Sequence, residues 1–315
     1  MNSHKSTCLK NTSLGFSLVE LLIGLTISLF VGAIAVGYLV SSSRSLTNQN
    51  STDLIQENSR FAFEILSSEA RLAGVNLSTV PEGRNSTDVL LVEGISTASI
   101  CAATGDTAPA ASDTEACNVD NLGYTIGAKK YNSDRVAFDY ATNTGTTCTN
   151  VDITTLLIDP NQPVSIVSVY WIADLDGDAI PSLYCQSYSS ILSQNTNPSY
   201  SNYSPVGNAT PLVDGIDSLQ VQFGFDSDND ANNNIDAFTA LGNVPAGNMD
   251  DIRAIKVGLL VNSGQVIDSE INTEGKKIRT YRVLDSAYTT SATDGSLRQS
   301  VSTTIFFPNL PPKRF

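Results

Sequence analysis

From Phe16 to Val40 the chain is apolar without interruption and carries a single formal charge, Glu20. As a helix rising about 1.5 Å per residue, this stretch would extend about 37 Å, against a bilayer hydrocarbon core of about 30 Å. It is long enough to cross a membrane, and Lys5 and Lys10 ahead of it predict that the N-terminus stays in the cytoplasm while the remainder is exported. The competing reading is a cleaved secretory signal with the small-x-small site Ala33-Ile34-Ala35. Such a signal needs an apolar region of only about 7 to 15 residues and gains nothing from an internal carboxylate. An acid at the centre of a membrane helix costs about 2.5 to 3.5 kcal/mol on insertion scales, so Glu20 needs a physical reason.

A short basic leader, then Gly15, Phe16 and "FSLVELLIGLTISLF" with Glu20 fifth after the glycine, resembles the class III signal of type IV pilins and type II secretion pseudopilins. The resemblance implies cleavage by a prepilin peptidase between Gly15 and Phe16. It also implies methylation of the new Phe16 amine and retention of the apolar helix as an assembly element. Glu20 then gains a role: in a helix bundle it pairs with the Phe16 ammonium of a neighbouring subunit, and a charge costly in isolation sets the register of assembly. Gly24, Ser28 and Gly32 recur every fourth residue, a small-residue face that lets another helix approach closely.

After Val40 the chain turns polar but keeps helical periodicity, with Leu54, Phe61, Ile65 and Leu72 flanked by Ile55, Ala62, Leu66 and Ala73. No proline occurs from residue 16 to 74, so one rod from the membrane into a soluble domain is expected, ending near Gly74, with Gly32 and Gly37 as points where it could bend. "LIQENSRFAFEILSSEARLAG" resembles the matching segment of PilW-type minor pilins, at Gln56, Arg60, Phe61, Arg71, Ala73 and Gly74. "LVDGIDSLQVQFGFDSDND", "DDIRAIKVGLLV" and "RQSVSTTIFFPN" resemble later blocks of the same family in the same order.

Residues 75–315 read as short strands with turns, at 88–92, 135–141, 153–158, 164–172, 183–186, 216–225, 252–261, 278–283 and 301–307. No helix alternates with them, so the expected class is α+β: a pilin-like long helix on an antiparallel sheet with loop insertions. The chain divides into a leader (1–15), a transmembrane assembly helix (16–40), its amphipathic continuation (41–74) and an exported β-rich domain (75–315).

Of five cysteines, Cys8 lies in the leader, leaving Cys101, Cys117, Cys148 and Cys185. An even set in an exported domain predicts disulfides, with three pairings open; Cys101–Cys117 and Cys148–Cys185 close the shortest loops. No cysteine spacing suits zinc, and the sole histidine, His4, is in the leader, so the mature chain cannot build a Ser-His-Asp or Cys-His nucleophile. No phosphate-binding glycine motif or distinct carboxylate pair stands out, and no enzymatic activity or resident cofactor is expected.

The net charge is −14, and −16 once the leader and its two lysines are set aside, which repels phosphate backbones and argues against nucleic acid as a partner. Two acidic loops are candidate calcium ligands. One offers Asp174, Asp176 and Asp178; the other, the stronger candidate, offers Asp226, Asp228, Asp230 and Asp236. Neither completes the EF-hand pattern, and both residue sets equally serve polar turns.

The resemblance implies a minor pilin of a type IV pilus that primes filament assembly. Its implied partners are the major pilin, other minor pilins, the prepilin peptidase, the inner-membrane assembly platform and a large tip adhesin. It implies a single-pass inner-membrane protein with a periplasmic C-terminal domain, later carried to the pilus and cell surface. A minor pseudopilin of type II secretion shares the same signal, and a pilus-associated adhesin is the third reading.

Overall fold

A computed structural model describes residues 17–75, 124–126, 129–157, 159–178, 180–190, 203–227, 234–240, 243–245, 252–266, 278–290 and 295–309. Gly15, Phe16, Cys101, Cys117, Asp228, Asp230 and the expected strand at 88–92 lie outside these residues. The chain divides into two units, residues 1–50 and 51–315.

The first unit consists, in its described part, of the opening of one helix, α1, which runs unbroken from Leu18 to Leu72. Gly32 and Gly37 interrupt nothing, because the helix keeps its backbone hydrogen bonds through each. Thr26 and Ser28 turn their hydroxyls back onto the carbonyls of Ile23 and Gly24, which is how hydroxyl side chains are accommodated in an apolar span. The helix is long and apolar enough to cross a membrane once.

In the second unit, the rest of α1 packs on antiparallel sheets, giving the α+β class. Its buried stripe is Ser51, Ile55, Ala62, Leu66 and Ala70, continued by Ala73. This sits one residue on from the periodicity that centred on Leu54, Phe61 and Leu72, all of which remain substantially exposed. Small Ala62, Ala70 and Ala73 let the helix backbone lie close to the sheets, whereas the larger residues of the alternative stripe would hold it away. Gly74 stops the helix at φ 84°, the left-handed position that glycine takes at least cost. Its N–H donates to Asp139 O (2.9 Å), and Ala141 N–H donates to Val75 O (2.9 Å), so the chain leaving the helix pairs at once with residues 139–141.

The strands are β1 (Tyr124–Ile126), β2 (Lys129–Tyr131), β3 (Val136–Thr142), β4 (Val164–Ala173), β5 (Ser182–Ser190), β6 (Tyr203–Asp214), β7 (Ile216–Phe225), β8 (Ala237–Thr239), β9 (Ile252–Val266), β10 (Thr280–Val283), β11 (Ser286–Thr289) and β12 (Ser296–Phe306). Two four-stranded sheets, ordered β3-β4-β5-β6 and β12-β9-β7-β8, accompany the hairpins β1-β2 and β10-β11; every pairing is antiparallel. The sheets join where Asp134 N–H donates to Leu219 O (2.7 Å) and Asp134 Oδ2 accepts from Val221 N–H (2.7 Å). Side chain and backbone of one residue thereby occupy part of the edge of β7 that short β8 leaves open.

One core unites α1 with both sheets through Phe138, Tyr170, Leu183, Leu219, Val257 and Ile305, among others. Strand β4 is buried on both faces: Tyr170 and Ile172 enter the helix-side core, while Val167, Val169 and Trp171 pack on the reverse. Residues 153–158, expected as a strand, instead hold a 3-10 turn at Ile153–Leu156. Asp152 caps it, accepting from Thr154 N–H (2.9 Å) and Oγ1–H (2.8 Å), and this local side-chain bonding competes with sheet pairing.

Candidate functional site

The residues with functional potential fall on the opening of α1, the disulfide region, the acidic loops and the last turns of the helix. Glu20 lies in the first turn of α1, where a negative charge complements the helix dipole. It is exposed. Around it Leu18, Leu21, Leu25 and Leu29 each leave more than half their surface uncovered, at 77%, 63%, 57% and 70%. A contiguous apolar surface of this extent is covered in the cell by lipid or by other apolar helices. A Cβ added at Gly24 or Gly32 would meet nothing within 4 Å, so the small-residue face with Ser28 between them is open within the single chain.

Cys148, just beyond β3, is bonded to Cys185 of β5, with Cα atoms 6.3 Å apart and a sequence separation of 37. The Cys148 Sγ also lies 2.9 Å from Ser187 Oγ. The bridge anchors the loop after β3 to the sheet and is the shorter-loop pairing that the spacing favours.

In the β4–β5 connection, the carboxylates of Asp174, Asp176 and Asp178 come within 4.8 Å of one another. Two of them serve the turn: Asp174 Oδ1 accepts from Gly177 N–H (2.9 Å) and Asp178 Oδ1 from Ile180 N–H (2.7 Å). In the other loop Asp226 is buried, whereas Asp236 is exposed and accepts from Ser227 N–H (2.8 Å), a bond that holds its carboxyl below the usual range. Among the described residues, the three acids of the first loop gather; two of the four in the second loop, Asp228 and Asp230, lie outside the described residues.

Sequence reasoning passes over Glu69. Its side chain is half-buried, but Oε2 is sealed beneath α1 near Ser168 Oγ and Tyr170 Oη of β4, which are sealed as well, and none of the three makes a well-formed hydrogen bond among the described residues. Burial pushes the Glu69 carboxyl up to about 7, with the Ser168 and Tyr170 hydroxyls acting in the opposite sense. Burial and the nearby Glu69 both raise the Tyr140 and Tyr170 phenols. Only its place in an amphipathic pattern, next to the buried Ala70, could have flagged Glu69 in advance.

The residues that carry the family resemblance in α1 prove architectural. Arg60 lies over the Phe61 ring at 5.7 Å, the Arg71 and Ala73 carbonyls accept from Asn309 Nδ2 (2.5 and 3.3 Å), and Gly74 terminates the helix.

Residues 169–309, a little under half of the chain, match the family model described as type IV pilus-assembly protein W. Among solved structures, a type IV-like pilin from Thermus thermophilus aligns at 13% identity with a TM-score of 0.32, covering 57% of this chain and 81% of the other. No curated protein sequence matches. The chain joins a long apolar helix to antiparallel sheets, and over residues 169–309 it is similar to the family of type IV pilus-assembly proteins.

Proposed function

We propose that the chain is a minor pilin that enters a type IV pilus through its N-terminal helix and helps prime filament assembly. The observation that carries this reading is the uncovered apolar length of α1, continuous in one helix with the turns that dock on the sheets. Membrane lipid covers that surface before assembly, and the helices of other pilins cover it afterwards. A pre-bundled set of such helices lowers the nucleation cost of adding further subunits. The leader is removed at Gly15 by the prepilin peptidase, the Phe16 amine is freed, and Glu20 of one subunit meets that ammonium on its neighbour. The exported domain faces the periplasm before assembly, where the platform proteins and other minor pilins meet it. Its role is structural rather than enzymatic.

Truncating one partner of a buried ion pair typically costs about 3 to 5 kcal/mol. Glu20→Ala is therefore expected to leave the exported domain folded and membrane levels unchanged while reducing the protein's recovery in sheared pili by at least tenfold. Wild-type recovery of that variant in pili would contradict the reading. A deletion strain is expected to lose surface pili; loss of type II secretion with pili intact would move the protein to the pseudopilins.

A further inference from the structure

The Glu69 cluster has a physical consequence independent of filament assembly. Glu69 Oε2, Ser168 Oγ and Tyr170 Oη are sealed together with no cation beside them among the described residues, so ionising the carboxylate there forfeits its hydration and leaves only two hydroxyls to offset the loss. The groups facing it are the Tyr140 phenol, with Asp139 behind it, from β3, and the Tyr170 phenol and Ser168 hydroxyl from β4. On β5, Cys185 pairs in register with Tyr170 but is held in its disulfide and does not titrate. On α1 itself, Arg71 lines the groove towards β12 with Thr303 and Ile305. No cation on these elements shifts Glu69, and its charged neighbours, once ionised, would only repel it.

We propose that Glu69 is a proton-operated latch: neutral, it lets the last turns of α1 close on β3 and β4, and ionised, it loosens them. The carboxyl holds its proton to about 7 in the docked state, against about 4.3 for an unstrained glutamate once the turns open and water reaches it. The docked state therefore binds more protons through the intervening window. Docking is tightest below that window, weakens as pH rises through it, and levels off above about 7. The rod is consequently coupled more firmly to its domain in mild acid than at neutral pH.

Hydrogen exchange of the full chain in detergent micelles tests this, read on peptides covering Leu66–Val75 and corrected for intrinsic exchange. In the wild type, the population of the open state should rise on the order of tenfold between about pH 5.5 and about pH 8. Glu69→Gln should abolish the rise and stay as protected at the higher pH as the wild type at the lower. Tyr170→Phe, which removes a hydroxyl that stabilises the ionised form, should steepen it. A flat wild-type profile, a Gln variant that rises in parallel, or a Phe variant with an unchanged slope would each overturn the latch. None of these readouts depends on pilus formation, so the latch and the assembly role fail separately.

Discussion

Asp217 illustrates how much of this domain rests on single polar residues. It is buried on β7, where Oδ1 accepts from Asn262 Nδ2 of β9 (2.5 Å) and Oδ2 receives the Arg298 Nε–H of β12. The Arg298 guanidinium in turn lies over the Tyr288 ring at 5.7 Å. One carboxylate thus joins three strands and the β10-β11 hairpin. Asp217→Ala would leave Arg298 buried without its carboxylate, and a loss of about 3 to 5 kcal/mol is expected in denaturant unfolding of the full chain. A change within about 0.5 kcal/mol would show that the cluster contributes little to stability. Polar residues of this kind were the least legible in the sequence. Asp217 is there one position of the expected strand 216–225, and Glu69 one position of the amphipathic helix. Their partners are dozens of residues away, and no local pattern encodes that separation.

At the level of elements, strands with a strong period were readable and those with broken periods were not. Strand β7 occupies the expected 216–225 because one face is committed to the core. Strand β9 starts as expected and runs on to Val266. Its change from alternating to continuously apolar has a cause: Val257, Leu259 and Val261 face the helix-side core, while Leu260 packs on Val283 and Tyr288 of the hairpin covering the other face. Strand β6 was missed because Pro205, Gly207 and Pro211 read as a loop; the sheet order places it at an edge, where proline is tolerated. The hairpin rests directly on Gly258, where an added Cβ would lie 2.8 Å from Leu284 Cγ and 2.9 Å from Val283 Cγ1. Leu284 itself sits at φ 50° in the hairpin turn, which costs about 1 to 2 kcal/mol in a non-glycine residue and persists only where packing over-determines it. Gly258→Ala is expected to lift the hairpin and cost about 1 to 3 kcal/mol, with faster amide exchange at Tyr281–Tyr288. Unchanged protection there would mean that the hairpin is held by other contacts.

For the whole molecule, the decisive division is between an apolar rod that lies exposed among the described residues and a domain with a well-filled core. Among the described residues, the buried stripe of α1 begins only at Ser51. The exposed apolar half is long enough to cross a membrane, and this much was legible from residues 16–40 because a long apolar run needs no tertiary information to interpret. The family match spans residues 169–309 and so does not include the rod; the reading of residues 16–40 rests on their apolar length and on their resemblance to the class III signal. Intact mass and N-terminal sequencing of the protein recovered from membranes and sheared pili tests that reading at its root. The expected product begins at an N-methylated Phe16 and retains Glu20 and the apolar helix. A product that begins downstream of Ala35, released without the helix, would contradict it.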